Sequence, residues 1–115
     1  MQEGTYAFGY TSEHYIILEI IRLSLYRNND WSFSYLHTRD NAKIDLIIDR
    51  PGLPTALIEI KSKKYITKRD VNNINRFSDD FSSSEAFCIS RDPHKKKIGS
   101  VKCFPWKQAL IKIGL

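Results

Sequence analysis

Between Glu13 and Tyr26 the apolar residues recur at helical spacing. Ile16, Ile17, Ile20, Ile21 and Leu23 spread around the azimuth of Glu13, while Tyr15, Glu19, Arg22 and Tyr26 occupy the far side. Thr11-Ser12 ahead of this stretch supplies a cap and the cluster Asn28-Asn29-Asp30 supplies a stop, which predicts a first helix. The aromatic and Ser/Thr content of Trp31 to Thr38 then predicts a strand, with Arg39-Asp40-Asn41 as its turn. Lys43 to Asp49 and Thr55 to Ser62 are β-branched-rich runs joined by Arg50-Pro51-Gly52-Leu53-Pro54, whose turn chemistry predicts an antiparallel hairpin.

Val71, Ile74, Phe77 and Phe81 recur at spacings of three and four and mark a second helix over 67–81, started by Thr67 or the preceding turn. Ala86 to Ser90 reads as a buried strand, Arg91 to Lys97 as a basic loop and Ser100 to Phe104 as a short strand. A last helix begins at Pro105, where proline suits the first turn. The order is α-β-β-β-α-β-(β)-α. Trp31, Trp106 and the tyrosines are expected in the core rather than as stacking platforms.

At 115 residues the chain has the size of a single domain, 1–115. Its longest uninterrupted apolar runs, Tyr15 to Leu18 and Ala86 to Ile89, are far short of the roughly 20 residues of a membrane span. Met1-Gln2-Glu3-Gly4 has neither the basic leader nor the apolar core of a signal peptide. Cys88 and Cys103 belong to no CxxC or Cys/His cluster, so a cytoplasmic protein with reduced, structural cysteines is expected. Lysine and arginine exceed the acids by 18 to 13, a net charge of +5, with much of the excess downstream of Lys61. That balance suits a polyanionic partner, of which nucleic acid is the commonest.

Candidate chemistry centres on Glu59-Ile60-Lys61. Residues two apart in a strand share a face, so Glu59 and Lys61 project together, opposite Ile58 and Ile60. Pairing symmetric about Gly52 sets Asp45 directly opposite Glu59, on one face of the hairpin. Two carboxylates that close repel unless a cation lies between them. A divalent metal is the functional solution, and Lys61, diagonal to Asp45, is the structural one. Glu13 faces inward on the first helix, where an unpaired carboxylate costs stability; first-turn acids also complement the helix dipole. Glu19 belongs to the solvated face.

Gly9-x-x-x-Glu13 opening the first helix, Ile44-Asp45 on the second strand and Glu59-x-Lys61 on the third resemble the PD-(D/E)XK nuclease superfamily. Glu13 with Glu19 in one helix, Tyr35-x-x-Thr38-Arg39 before Ile44-Asp45, and Val101 to Trp106 before a closing helix are similar to the uncharacterised domain at the C-terminus of many prokaryotic AAA-type ATPases. The resemblance implies an α/β, restriction endonuclease-like fold, a mixed central sheet flanked by helices. It further implies Asp45 and Glu59 as ligands of Mg²⁺ (or Mn²⁺), Lys61 beside the attacking water, Glu13 assisting, and DNA as substrate. Hard oxygen donors suit Mg²⁺, which keeps several of its waters.

The sequence departs from those patterns at two places. Lys43 stands where the ATPase-linked domains usually carry an acid, and the second helix offers Asn72, Asn73, Asn75 and Arg76 where some related nuclease branches have a glutamine. No GxxxxGK[ST] loop occurs, so the domain is expected to be either a stand-alone copy or a piece of a longer protein, with any ATPase domain in the same or a neighbouring chain. A non-catalytic module binding nucleic acid or a protein partner is the rival reading. Lys63, Lys64, Lys68 and Arg69 follow the Glu59-Ile60-Lys61 strand directly and are the expected phosphate contacts. The Arg91 to Lys97 run is expected to be a solvated loop.

Overall fold

The computed structural model describes residues 6–27, 30–37, 43–78 and 83–114, with side chains for all of these except 6–13 and 107. The first helix, α1 (Tyr6–Tyr26), begins five residues before Thr11. A cap residue is worth only about 1 kcal/mol, and Ala7 and Phe8 continue the helix past it. Thr11 and Ser12 are therefore interior residues and Glu13 is not in the first turn, which corrects the capped start. Strands β1 (Ser32–His37), β2 (Lys43–Asp49) and β3 (Thr55–Ile60) follow, then a 3₁₀ turn at Lys68–Val71 that leads into α2 (Asn72–Ser78). The chain closes with β4 (Ser84–Ser90), β5 (Lys96–Ile98), β6 (Val101–Pro105) and α3 (Trp106–Lys112). The expected turn at Arg39-Asp40-Asn41 and the helix position of Phe81 lie outside the described residues.

The six strands form one mixed sheet in the order β1-β2-β3-β4-β6-β5. β1, β2 and β3 are an antiparallel meander; β4 lies parallel to β3 and β6 parallel to β4, while β5 pairs antiparallel with β6 at the edge. Parallel pairing of β3 with β4 requires a crossover, and α2 provides it. Burial divides the domain into three layers. Ile16 and Ile20 of α1 and Ala109 of α3, with Ile113 just beyond it, cover the face that carries Leu46, Ile48, Ile58 and Phe87. Ile66, Val71 and Ile74 cover the opposite face, which carries Leu57, Cys88, Val101 and Cys103. Trp31 and Trp106 pack against the core as expected. The described tyrosines do not: Tyr15, Tyr26, Tyr35 and Tyr65 are all exposed, their hydroxyls left in water.

The hairpin turn is set by Gly52, whose φ of 82° follows Pro51, with Leu53 N–H donating to the Arg50 carbonyl at 2.9 Å. Proline then glycine at the two central positions is the type II arrangement. Arg50 itself is 2% exposed. Its guanidinium donates to the Pro54 carbonyl across the turn at 3.0 Å, to the Ile113 carbonyl at 2.9 Å and to Glu85 Oε1 at 2.9 Å. One side chain thus ties the hairpin to β4 and to the residue following α3. Replacing it leaves two carbonyls without their donor and Glu85 with Lys102 alone, so Arg50→Ala is expected to lose about 3 kcal/mol, read as a lower urea midpoint. A loss under about 1 kcal/mol would show that the clamp is dispensable.

Candidate active site

β2 and β3 pair at Leu46–Ile58, Ile47–Leu57 and Ile48–Ala56, the register symmetric about Gly52. One residue further along, Asp45 comes across from Glu59. Here the main-chain ladder gives way: the Ile60 N–H donates to Asp45 Oδ2 at 2.8 Å, a carboxylate standing in for a backbone carbonyl. The cause lies on the other edge of β2. Ser34 pairs with Ile47 but Leu36 pairs with Ile44, so Asp45 and Leu46 together face the single residue Tyr35. This β-bulge breaks the period-two alternation and re-aims Asp45. Its carboxylate leans along the sheet toward β3 instead of standing squarely on the Glu59 face, a correction to the simple two-residue geometry. The bulge leaves no mark in the sequence pattern.

Glu59 is 5% exposed, and its Oε1 lies 3.1 Å from Lys61 Nζ. Burial is the main reason that its carboxyl is pushed up to about 7; the nearby Asp45 charge adds to this, and Lys61 opposes it without prevailing. For Lys61, burial works against the charged amine, but Glu59, Asp45 and Asp70 outweigh it and hold its pKa above the usual lysine value. The amine stays protonated. Lys43, at the departure from the family pattern, reaches 3.8 Å from Asp45 Oδ1. The acidic pair is thus flanked by a lysine on each side. Glu19 forms an ion pair with Arg22 on the exposed side of α1, as expected of a solvated face.

Glu13 lies on α1, and its side chain falls outside the described residues. Lys63 is held by Asp70 Oδ1 at 2.8 Å, while Asp70 Oδ2 accepts the Thr67 N–H at 2.9 Å and so fixes the start of the 3₁₀ turn. Lys64, Lys68 and Arg69 are exposed beside it. Asn75, one of the polar residues standing where a related branch has glutamine, is engaged elsewhere: its Oδ1 accepts from the Ser100 N–H at 3.1 Å and holds the turn between β5 and β6. The expected solvated loop at Arg91 to Lys97 holds for Arg91, Pro93, His94 and Lys95, which are exposed outside any strand, but not for Asp92 and Lys96. Asp92 is buried, accepts the Ile66 N–H at 2.9 Å and pairs with Lys96 Nζ at 2.8 Å, while Lys96 begins β5. These bonds fasten the segment after Lys61 to the β4–β5 connection. Cys88 and Cys103 are free and buried.

Among the described residues no group of three or more His, Cys, Asp and Glu forms a metal site. Asp45 and Glu59 nevertheless suit a hard divalent ion that keeps much of its water. A carboxylate whose ionisation is opposed by burial and by a second acid is stabilised by a cation, and both side chains offer oxygen donors. A cleft of about 590 Å³ adjoins Asp45, lined in part by His14, Tyr35, His37 and Lys43.

The family described as a domain of unknown function, DUF4143, matches residues 8–109. The chain belongs to that family. The match spans α1 through most of α3 and so takes in the whole sheet and both acids of the hairpin. No curated protein and no solved structure matches the chain. No helix among the described residues of this DUF4143 domain is long and apolar enough to cross a membrane.

The raised Glu59 pKa sets a sign for the pH dependence. From its ordinary value of 4.5 up to about 7 the folded protein holds a proton that the unfolded chain has released, so stability falls as pH rises through that window. Above it the ionised carboxylate costs about 3 kcal/mol. In chelator, urea unfolding from pH 5 to 8 is expected to show this decline in the wild type and a much flatter profile in Glu59→Gln; equal slopes would assign the titration to another group. Asp45→Asn keeps an acceptor for Ile60 N–H and is expected to be nearly neutral. Asp45→Ala orphans that amide and is expected to cost about 1–2 kcal/mol in the same assay.

Proposed function

We propose that this DUF4143 domain is a metal-dependent nuclease-type domain that acts on DNA phosphodiesters through Asp45, Glu59 and Lys61. The observation that carries the reading is the apposition of Asp45 and Glu59 where the β2–β3 ladder ends, with the Lys61 amine 3.1 Å from Glu59. A restriction endonuclease-like fold is the finer reading of the architecture. It is supported by an antiparallel β1-β2-β3 meander, preceded by α1 and followed by a helical crossover to a parallel β4.

In this reading Asp45 and Glu59 would hold Mg²⁺ or Mn²⁺, with Glu13 assisting from α1. The bound ion would polarise the phosphodiester and lower the pKa of a coordinated water. Lys61, kept protonated by its acidic neighbours, would orient the nucleophilic water and balance the negative charge that grows on the phosphoryl oxygens. Lys63, Lys64, Lys68 and Arg69 lie just beyond β3 and supply contacts to flanking phosphates. Lys63 does so while held by Asp70.

A second reading, an accessory module of an AAA-type ATPase in the same or a neighbouring chain, is favoured by α1. Tyr15, Leu18, Leu25 and Tyr26 are exposed along it, more apolar surface than a helix facing only water needs. Lys43 beside Asp45 also supplies cationic compensation without a metal.

Cleavage assays on single-stranded, duplex and branched DNA decide between them. The expected result is nicking only with Mg²⁺ or Mn²⁺, abolished by Glu59→Ala or Lys61→Ala, while both variants keep salt-sensitive DNA binding. Removing Lys64, Lys68 and Arg69 together should weaken binding and flatten its salt dependence. DNA binding without cleavage across metals and substrates would transfer the assignment to the accessory module. Absence of both metal and DNA binding would overturn every nucleic-acid reading.

A further inference from the structure

The cleft of about 590 Å³ beside Asp45 is larger than a metal with its waters requires. Its construction differs from that of the basic segment after β3. Tyr35 and His37, two apart on β1, share a face, and both are exposed. Tyr35 is the residue that faces the bulge, and it lines the same cleft as Asp45. Ile17, Leu36 and Ile44 line the same cleft with apolar groups, and Lys43 adds a cation at its edge. A phosphate backbone is recognised by cations, amides and hydroxyls, the tyrosine hydroxyl included, but it has no use for the face of an aromatic ring or for apolar walls. An unstacked nucleobase uses both: its faces stack on aromatic rings, and its burial removes apolar surface from water.

We infer that this cleft is a base-binding pocket, with Tyr35 as the stacking platform, and that the domain selects DNA carrying an unpaired nucleotide next to the phosphodiester presented to Asp45 and Glu59. The inference rests on the nuclease-type reading for its substrate class and adds the structural form of that substrate. A stacked duplex keeps its bases from the cleft. A single strand, a flap or a frayed end can turn one base toward Tyr35 while its phosphate lies at Asp45, the acid that lines the cleft. Lys43 sits between these positions, at the Asp45 carboxylate and at the cleft edge, where it meets the phosphate that joins them.

Fluorescence anisotropy in chelator measures this apart from cleavage, using a labelled 15-nucleotide single strand and its duplex. The single strand is expected to bind the wild type at least tenfold more tightly than the duplex. Tyr35→Ala should lose most of that preference and leave duplex affinity within twofold, while Tyr35→Phe, which keeps the ring, should retain the preference. Tyr35 is 76% exposed, so its removal leaves the fold intact, which circular dichroism verifies. Tyr26→Ala, an equally exposed tyrosine at the far end of α1, should bind as the wild type. Equal affinity for single strand and duplex, or a preference unchanged by Tyr35→Ala, overturns the pocket. Metal-dependent cleavage lost in Glu59→Ala would then still support the nuclease reading, so the two fail separately.

Discussion

The register of β2 against β3 is the constraint on which the site depends. A one-residue slip would move Glu59 away from Asp45 and exchange Ile58 and Ile60 with Leu57 between the two cores. Several devices oppose a slip. Pro51-Gly52 fixes the turn, Arg50 grips Pro54 across it, and Leu46, Ile48, Ala56 and Ile58 must all reach the core under α1 and α3. At the other end of the ladder the Asp45 carboxylate takes the Ile60 amide. The acid at the candidate site is therefore also the last hydrogen-bond acceptor of the hairpin, and its chemistry and its architecture are carried by the same two oxygens.

Electrostatics explains why such a site needs company. Glu59 faces Leu57's side of the sheet, in register with Cys88, which in turn pairs with Cys103. Its neighbours along that row are weakly polar thiols that cannot solvate a carboxylate. Lys61 is the nearest compensation, and Asp45 works against it. The balance leaves Glu59 poised between protonated and ionised forms near neutrality, where a divalent cation or a proton can each satisfy it. The lysines do not settle that competition, because Lys61 and Lys43 are both partly open to water and so only partly effective.

Much of this was legible in the sequence, because it rests on local chemistry and symmetry. The Arg50 to Pro54 turn, both hairpin strands and their register follow from turn residues and β-branched runs, and Pro105 marks α3 although it ends β6 and caps the helix that starts at Trp106. The rest depends on contacts distant in sequence or on ambiguous signals. The bulge opposite Tyr35 is a mismatch between two strands and has no residue signature. The basic run hid β5, since charged residues are also what keep an edge strand from pairing with another chain. Asp92 sits within that run, and only Ile66, 26 positions away, shows it to be an anchor. The start of α1 was misplaced because Thr11-Ser12 caps well in isolation, and a helix already under way passes through such residues at small cost.

The Arg50 clamp also bears on how the chain acquires its shape as it is made. Arg50 bonds the Ile113 carbonyl, 63 positions downstream, so the turn that aligns the two acids is completed only after α3 has been synthesised. A nascent chain can form the hairpin earlier from its local signals, but then holds it with the Gly52 turn and the β2–β3 ladder alone. Contacts of such long sequence separation slow folding and leave strand edges open until they form. The same bond makes the maturation of the site a late event, coupled to the arrival of the last helix.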